Sequence, residues 1–406
     1  MGLMFARQPI FDSKNRVYGY ELLYRDGSGS AYNCYDGDVA TSSVMAAGFL
    51  SAGVKELSGK KKFFVNFTEN MLLQGVATLF PKDQIVIEVL ETVEPSEEVI
   101  HVCKSLKKEG YVLALDDFIF RPGYQALVEI ADIIKVDFLL TQTEIERKSV
   151  IRRFGNGRLR FLAEKVESLE DFNMAVRMGY LLFQGYYFSK PVIESTKAIS
   201  PVKMNHLNLI KTLQKEEPDF SDITKIIEKD VAFTYEILRI ANSVHYYRGN
   251  KILSIRQAAL RMGLEELKKW ALITVMRQMA GESKDAVVTL CVQRAKALEV
   301  LSGKVGLKER KMEFYTLGIL SMIDVLMGCP MKQVLSELSV SDEIKGLLAG
   351  ERNNGRMAEC YRLVLAFEKG EWDQLFALSN QYSIQADDVA AAGFDAIVWA
   401  RDFGLE

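Results

Sequence analysis

Seven short apolar runs in the first half of the chain each lead into a group that can bind a cation or move a proton. Val-Tyr-Gly-Tyr carries Glu21, Phe-Phe-Val ends on Asn66, and Ile-Val-Ile runs into Glu88 with Glu91 beyond it. Leu-Ala-Leu ends on the pair Asp116-Asp117, Ile-Ile leads to Lys135 and Asp137, Phe-Leu-Ala to Glu164, and Leu-Leu-Phe to Gln184. Carboxylates beside buried strands are costly to desolvate unless they are paired or bound to a cation. Several of them in one cup repel each other unless Mg²⁺ or Mn²⁺ neutralises them, and such hard ions prefer oxygen ligands. The adjacent Asp116 and Asp117 can reach two metals, and two metals about 4 Å apart suit in-line displacement at phosphorus. Ordinary rim salt bridges and helix caps are the blander reading of the same residues. Phosphodiester hydrolysis is the sharper one.

For these groups to meet, the runs must be strands of one sheet. β-rich stretches fall at 5–11, 17–24, 62–67, 84–90, 111–118, 133–138, 159–166 and 180–188, and the first two flank the turn Asp12-Ser-Lys-Asn15. The later ones are separated by helical pieces such as 95–106, which Pro95 opens and acids follow. Strands separated by helices imply parallel βαβ units. Eight of them in this length predict an α/β fold, a closed (β/α)8 TIM-like barrel whose strand ends share one face. A doubly wound open sheet is disfavoured because no glycine-rich phosphate loop follows the first strand. Beyond Lys190-Pro191 the pattern turns helical almost throughout, from 206–215 to 386–400. Small and polar residues at 193–201 mark the boundary, so the reading is two domains, 1–198 and an all-α 199–406.

With 406 residues, two cores are expected. Lys plus Arg number 51 against 54 Asp plus Glu, a net charge of −3, which favours neither a nucleic-acid polymer nor a membrane surface as partner. No apolar run approaches the roughly 20 residues that span a bilayer. The start lacks an apolar signal core, and Ala6 stands where a myristoylation signal has Ser or Thr. Cys34, Cys103, Cys291, Cys329 and Cys360 are scattered without a CxxC, as expected of reduced thiols in a cytoplasmic protein.

The spaced motifs resemble the EAL-domain cyclic di-GMP phosphodiesterases. Gln8-Pro9-Ile10 is similar to the family's opening segment, and Glu21-Leu-Leu-Tyr-Arg25 stands where the family has Glu-Ala-Leu-x-Arg. Val-Asn66, Glu88-Val-Leu-Glu91, Asp116-Asp117-Phe118, Lys135-Val-Asp137, Ala-Glu164-Lys165-Val-Glu167 and Gln184-Gly185 follow in the family's order. The resemblance implies that Glu21, Asn66, Glu88 and Asp116 hold a first Mg²⁺ or Mn²⁺, and that Asp116, Asp117 and Glu164 hold a second. It implies Glu164, Lys135 and Asp117 as catalytic groups, with Glu164 a base and Lys135 orienting water. Gln8, Arg25, Gln184, Glu167 and Asp137 would contact cyclic di-GMP, with Arg25 a fork on phosphate. A homodimer is expected from the family's habit. Three departures stand out. Leu22 replaces the alanine of the name motif, and Lys165 replaces a glycine. Ile119-Phe-Arg-Pro-Gly123 replaces a glycine-rich loop, which alters its allowed backbone and the support of the metal site.

In the second half, Leu238-Arg-Ile-Ala-Asn242-Ser243 and Gln257-Ala258 with the later Gly263 resemble the HDOD family. HD hydrolases, its relatives, need a His-Asp dyad and further ligands, whereas this half has only His206 and His245, neither followed by Asp. The resemblance therefore implies a regulatory module that binds an unidentified protein partner. Asn242 is expected to cap or crosslink backbone, Trp270, Trp372 and Trp399 to pack, and Glu265-Glu266 with Lys268-Lys269 to form a solvated face. Three functional readings stay open at this point: a two-metal phosphodiesterase yielding linear pGpG, a catalytically silent cyclic di-GMP receptor, and an interaction scaffold.

Overall fold

Strands covered on both faces read as continuous apolar runs, and the central strands here are buried at every residue of Ile85–Val89 and Ile133–Asp137. The computed structural model describes residues 3–26, 61–118, 123–141, 143–155, 157–185, 201–214, 220–228, 230–243, 246, 249–281, 285–351 and 354–404. Most of the 119–123 loop, the 193–200 linker, Cys34 and His245 lie outside them. The chain forms two compact units, Met1–Phe188 with Leu365–Ala391, and Ser189–Val364 with Ala392–Glu406.

The first unit is a closed barrel of β1 (Leu3–Asp12), β2 (Val17–Asp26), β3 (Lys62–Phe67), β4 (Ile85–Val89), β5 (Val112–Leu115), β6 (Ile133–Asp137), β7 (Arg160–Glu164) and β8 (Leu182–Phe183), in chain order. All neighbours pair in parallel except β1, which is antiparallel to both β2 and β8. The reversal is made by Asp12, whose carboxylate accepts the main-chain N–H groups of Lys14 and Arg16 at 2.8 and 3.0 Å. Such a side chain closing its own turn is the usual use of Asp at this position. Between the strands lie α1 (Glu69–Leu73), α2 (Glu97–Glu109), α3 (Gln125–Ile130), α4 (Glu144–Phe154) and α5 (Leu169–Met178). In α2, Ser96 caps the first turn and Gly110 ends the last, while buried Val99, Cys103 and Leu106 form one stripe.

The barrel interior explains how a polar site is held. Ile10, Phe64, Val86, Ala114, Ile133, Leu162 and Leu182 form one buried cluster. Side chains alternate along a strand, so residues two apart share a face. Two steps toward the rim from these seven stand Gln8, Asn66, Glu88, Asp116, Lys135, Glu164 and Gln184. A polar rung sits directly on an apolar one.

The second unit takes its core from α6 (Pro201–Leu213), α7 (Phe220–Glu228), α8 (Val231–Ala241), α9 (Ile255–Met262), α10 (Leu264–Ala280), α11 (Asp285–Lys304), α12 (Lys311–Leu320), α13 (Ile323–Met327), α14 (Met331–Glu337) and α15 (Asp342–Leu348). The last helices, α16 (Arg356–Glu368), α17 (Trp372–Tyr382) and α18 (Ala386–Asp402), divide between the units. α10 is buried without interruption from Lys269 to Met276, the mark of a central helix. Trp270 stacks on Trp399 at 5.3 Å, and Trp372 packs edge-on against Phe367. The face expected to be solvated is only partly so. Lys269 is 2% exposed and pairs with Glu266 at 2.7 Å and with Glu299 from α11, a partner that local sequence spacing cannot show.

Asn242 crosslinks the backbone as its type suggests. Its amide donates to the carbonyls of Leu238 and Ile252 at 2.8 and 2.9 Å and accepts from Ile252 N at 2.8 Å. Asn242→Leu keeps the volume and strands those groups, so it should destabilise the helical unit by about 2–3 kcal/mol. Urea denaturation followed by circular dichroism reads this as a lower midpoint. A midpoint equal to that of the wild type would refute the crosslink.

Candidate active site

Lys135 stands at the centre of the polar rung, fully buried, with its ammonium among four carboxylates. Its Nζ lies 2.6 Å from Asp116 Oδ1, 2.7 Å from Glu88 Oε1, 2.8 Å from Glu164 Oε1 and 3.7 Å from Glu21 Oε1. Each partner comes from a different strand or strand end, which only closure of the barrel brings together. Burial alone would pull the Lys135 ammonium down, but the surrounding Glu164, Glu21, Glu88 and Asp116 outweigh it and hold the proton well above the ordinary lysine range. The carboxylates respond in kind. Burial pushes Glu88 well up and Glu164 up to about 8, with Lys135 opposing the shift in both cases. Asp117 is raised as well, by burial and then by its neighbour Asp116.

Gln184 ties the reversed strand into the ring. Its Nε2 donates to Glu21 Oε2 at 2.6 Å and to Gln8 Oε1 at 3.0 Å. Asn66 pairs in register with Glu88 across β3 and β4. Asp116, Asp117 and Glu164 can each turn an oxygen to within 4.8 Å of the others. Asp117 and Lys165, at φ 38° and 52°, hold left-handed backbone without being glycine, and such outliers gather where surrounding structure fixes a functional geometry. A cleft lined by Glu91, Asp116, Asp117, Phe118, Tyr124 and Leu140 opens beside them.

Do these residues suit a divalent cation? Four carboxylates, Glu21, Glu88, Asp116 and Glu164, face one ammonium, and Asp117 adds a fifth acid beside Asp116. Asn66 Oδ1 and Glu88 Oε2 are buried and receive no hydrogen bond. Buried acceptors without donors beside surplus negative charge form an oxygen-rich set that fits Mg²⁺ or Mn²⁺. Among the described residues, Asp116, Asp117 and Glu164 are the one His, Cys, Asp or Glu group with metal-binding spacing, so the described part of the helical unit offers none.

The other expected contacts are placed less centrally. Asp137 is buried, accepts from Leu139 N and Leu140 N at 2.6 and 3.1 Å, and pairs with Lys165. Glu167 is exposed on the turn before α5. Arg25 lies on β2 opposite Met4 by its backbone. A contact that local sequence could not foretell reaches Gln8, whose Nε2 donates to the carbonyl of Lys369 at 2.8 Å, 361 residues away.

The EAL domain profile matches residues 54–191 and the HDOD domain profile residues 200–350. Cyclic di-GMP phosphodiesterase CdgJ of Vibrio cholerae is 30% identical over 399 residues, covering 98% of this chain and 92% of CdgJ. The chain belongs to the EAL–HDOD family. An uncharacterized EAL–HDOD-length relative, YuxH of Bacillus subtilis, is 36% identical over 99% of both chains. Among solved structures, the calcium and cyclic di-GMP complex of Klebsiella pneumoniae BlrP1 aligns at 28% identity over 47% of this chain and 56% of that one, with a TM-score of 0.41. No described helix of this EAL–HDOD chain is long and apolar enough to cross a membrane.

Proposed function

We propose that this EAL–HDOD chain is a phosphodiesterase that opens cyclic di-GMP to linear pGpG at the polar rung, using two divalent cations. The observation that carries the reading is the ring of four carboxylates around buried Lys135, with Asp117 beside it and undonated oxygens on Asn66 and Glu88. Nearly full-length similarity to a protein named for this activity supports it.

Glu21, Asn66, Glu88 and Asp116 would hold one cation, and Asp116, Asp117 and Glu164 the other. Bound there, they would neutralise the ring and stabilise the charge that develops on the phosphoryl oxygens. The chain's own groups do the rest. Glu164 takes the proton of the attacking water as its oxygen bonds to phosphorus and the bond to the ribose 3′ oxygen breaks, and that oxygen leaves as a hydroxyl with a proton from solvent. Lys135 orients that water and fixes the carboxylates around itself. Gln184 holds Glu21 in register, and Gln8, Arg25 and Glu167 contact the dinucleotide. Asp137 reaches the mouth by anchoring Lys165.

The HDOD part regulates this activity and docks a protein partner, and the barrel pairs in a cytoplasmic homodimer, which light scattering at high concentration would read as twice the chain mass. The altered 119–123 loop favours a second reading, a receptor that binds cyclic di-GMP without cleaving it. Chromatography of cyclic di-GMP incubated with the protein in Mn²⁺, Mg²⁺ or EDTA separates the two. Metal-dependent pGpG supports the enzyme, and intact binding without product supports the receptor.

A further inference from the structure

The contact between Gln8 and Lys369 has a directional logic. α16 ends in a paired cap: Glu371 N donates to Ala366 O at 2.9 Å and Gly370 N to Phe367 O at 3.0 Å, with Gly370 left-handed at φ 65°. Those two bonds satisfy two of the terminal carbonyls, and the carbonyl of Lys369 is the next along the chain end. It also lies at the negative end of the helix. Gln8 Nε2 donates to it at 2.8 Å.

The face on which this happens matters most. Gln8 and Glu21 are directly opposed across β1 and β2, so their side chains share a face. Glu21 points at Lys135, which makes that face the barrel interior and its mouth. Leu23, two residues on, shares it. A Cβ on Gly370 would stand 2.3 Å from Leu23 Cδ1 and 3.3 Å from Leu23 Cβ. The turn therefore presses on the same face, at the same two strands, that the proposed reaction offers to the dinucleotide.

We propose that residues 369–371 are an internal pseudo-ligand: a helix-end carbonyl takes the Gln8 amide in place of an acceptor atom of the dinucleotide, and the turn must leave for substrate to seat. This rests on the reading of the barrel as a cyclic di-GMP site. α16 starts among residues of the helical unit and ends in the barrel unit, so whatever moves its C-terminal end sets how open the site is. Binding pays the cost of releasing the turn, and a state in which it is already released binds more tightly.

The test is a reversible lock in the full chain. Leu23→Cys with Gly370→Cys, in a Cys34→Ser background, places two Cβ atoms close to the roughly 3.8 Å of a disulfide. Cys103 and Cys360 are buried with thiols pushed up to about 11 and about 12, and Cys291 and Cys329 are also buried, so the new pair should oxidise selectively. Calorimetric titration with cyclic di-GMP in Ca²⁺ should show the oxidised protein binding at least about tenfold more weakly than the same sample after reduction. Gly370→Val, which pushes the turn off Leu23, should bind more tightly than wild type. Equal affinity in the oxidised and reduced forms overturns the proposal, and so does a pair that fails to oxidise. A wild-type chain that binds no cyclic di-GMP with any divalent cation instead overturns the reading of the barrel on which the proposal stands.

Discussion

Lys135→Met should abolish measurable pGpG formation and destabilise the metal-free protein by about 3–5 kcal/mol, the cost of removing one partner from a buried ionic cluster. The size follows from position. The ammonium is 0% exposed and lies within 2.8 Å of three carboxylates on three strand ends. Methionine fills the space but leaves the four acids around Lys135 without its counter-charge. The loss should shrink in millimolar Mn²⁺, because a bound cation replaces part of the missing charge. It should also shrink in acid, where the carboxylates are protonated. Calorimetric melting with EDTA and with Mn²⁺ measures both effects, and an unchanged melting temperature in EDTA would show that the ring does not depend on this lysine.

Glu164→Gln should lower kcat by about 10²–10⁴ at saturating Mn²⁺, the range for a positioned general base, while cyclic di-GMP affinity changes little. It carries a second signature in stability. Burial holds the Glu164 carboxyl at about 8, above its ordinary value of 4.5. A group whose proton affinity rises on folding contributes stability that is full below the unfolded value and is lost as pH climbs through the folded one. In EDTA the wild type should therefore lose melting temperature between about pH 4.5 and 8 more steeply than Glu164→Gln, which cannot ionise. Parallel curves would contradict the assignment of that proton to Glu164.

The polar rung was legible because strands impose a period of two. Once 62–67, 84–90 and 133–138 read as strands, the acids, the amide and the lysine had to share one face, and closure brought that face together. The first strand was legible only as a hairpin arm. Its place in the barrel, beside both β2 and β8, depends on which edges remain unpaired after the others close. Non-local partners were beyond reach for the same reason. Lys269 looks like one more charge on an amphipathic surface until Glu299 arrives from α11. Nothing around Lys369 marks its carbonyl as a partner of Gln8, because a helix end carries no record of what will face it. Lys165 did carry a signal. A lysine where the family has glycine takes left-handed backbone and reaches buried Asp137 at the end of β6.

The most direct test of the central claim is pGpG formation by the wild type and Glu21→Ala side by side, in Mn²⁺ and in EDTA. Glu21 faces Lys135, accepts from Gln184 and lies among the proposed cation ligands, so its removal should cost at least about 100-fold in rate. Product from the wild type that needs both Mn²⁺ and Glu21 is the predicted result. Equal rates from the two proteins, or no product from the wild type with any divalent cation, would contradict it.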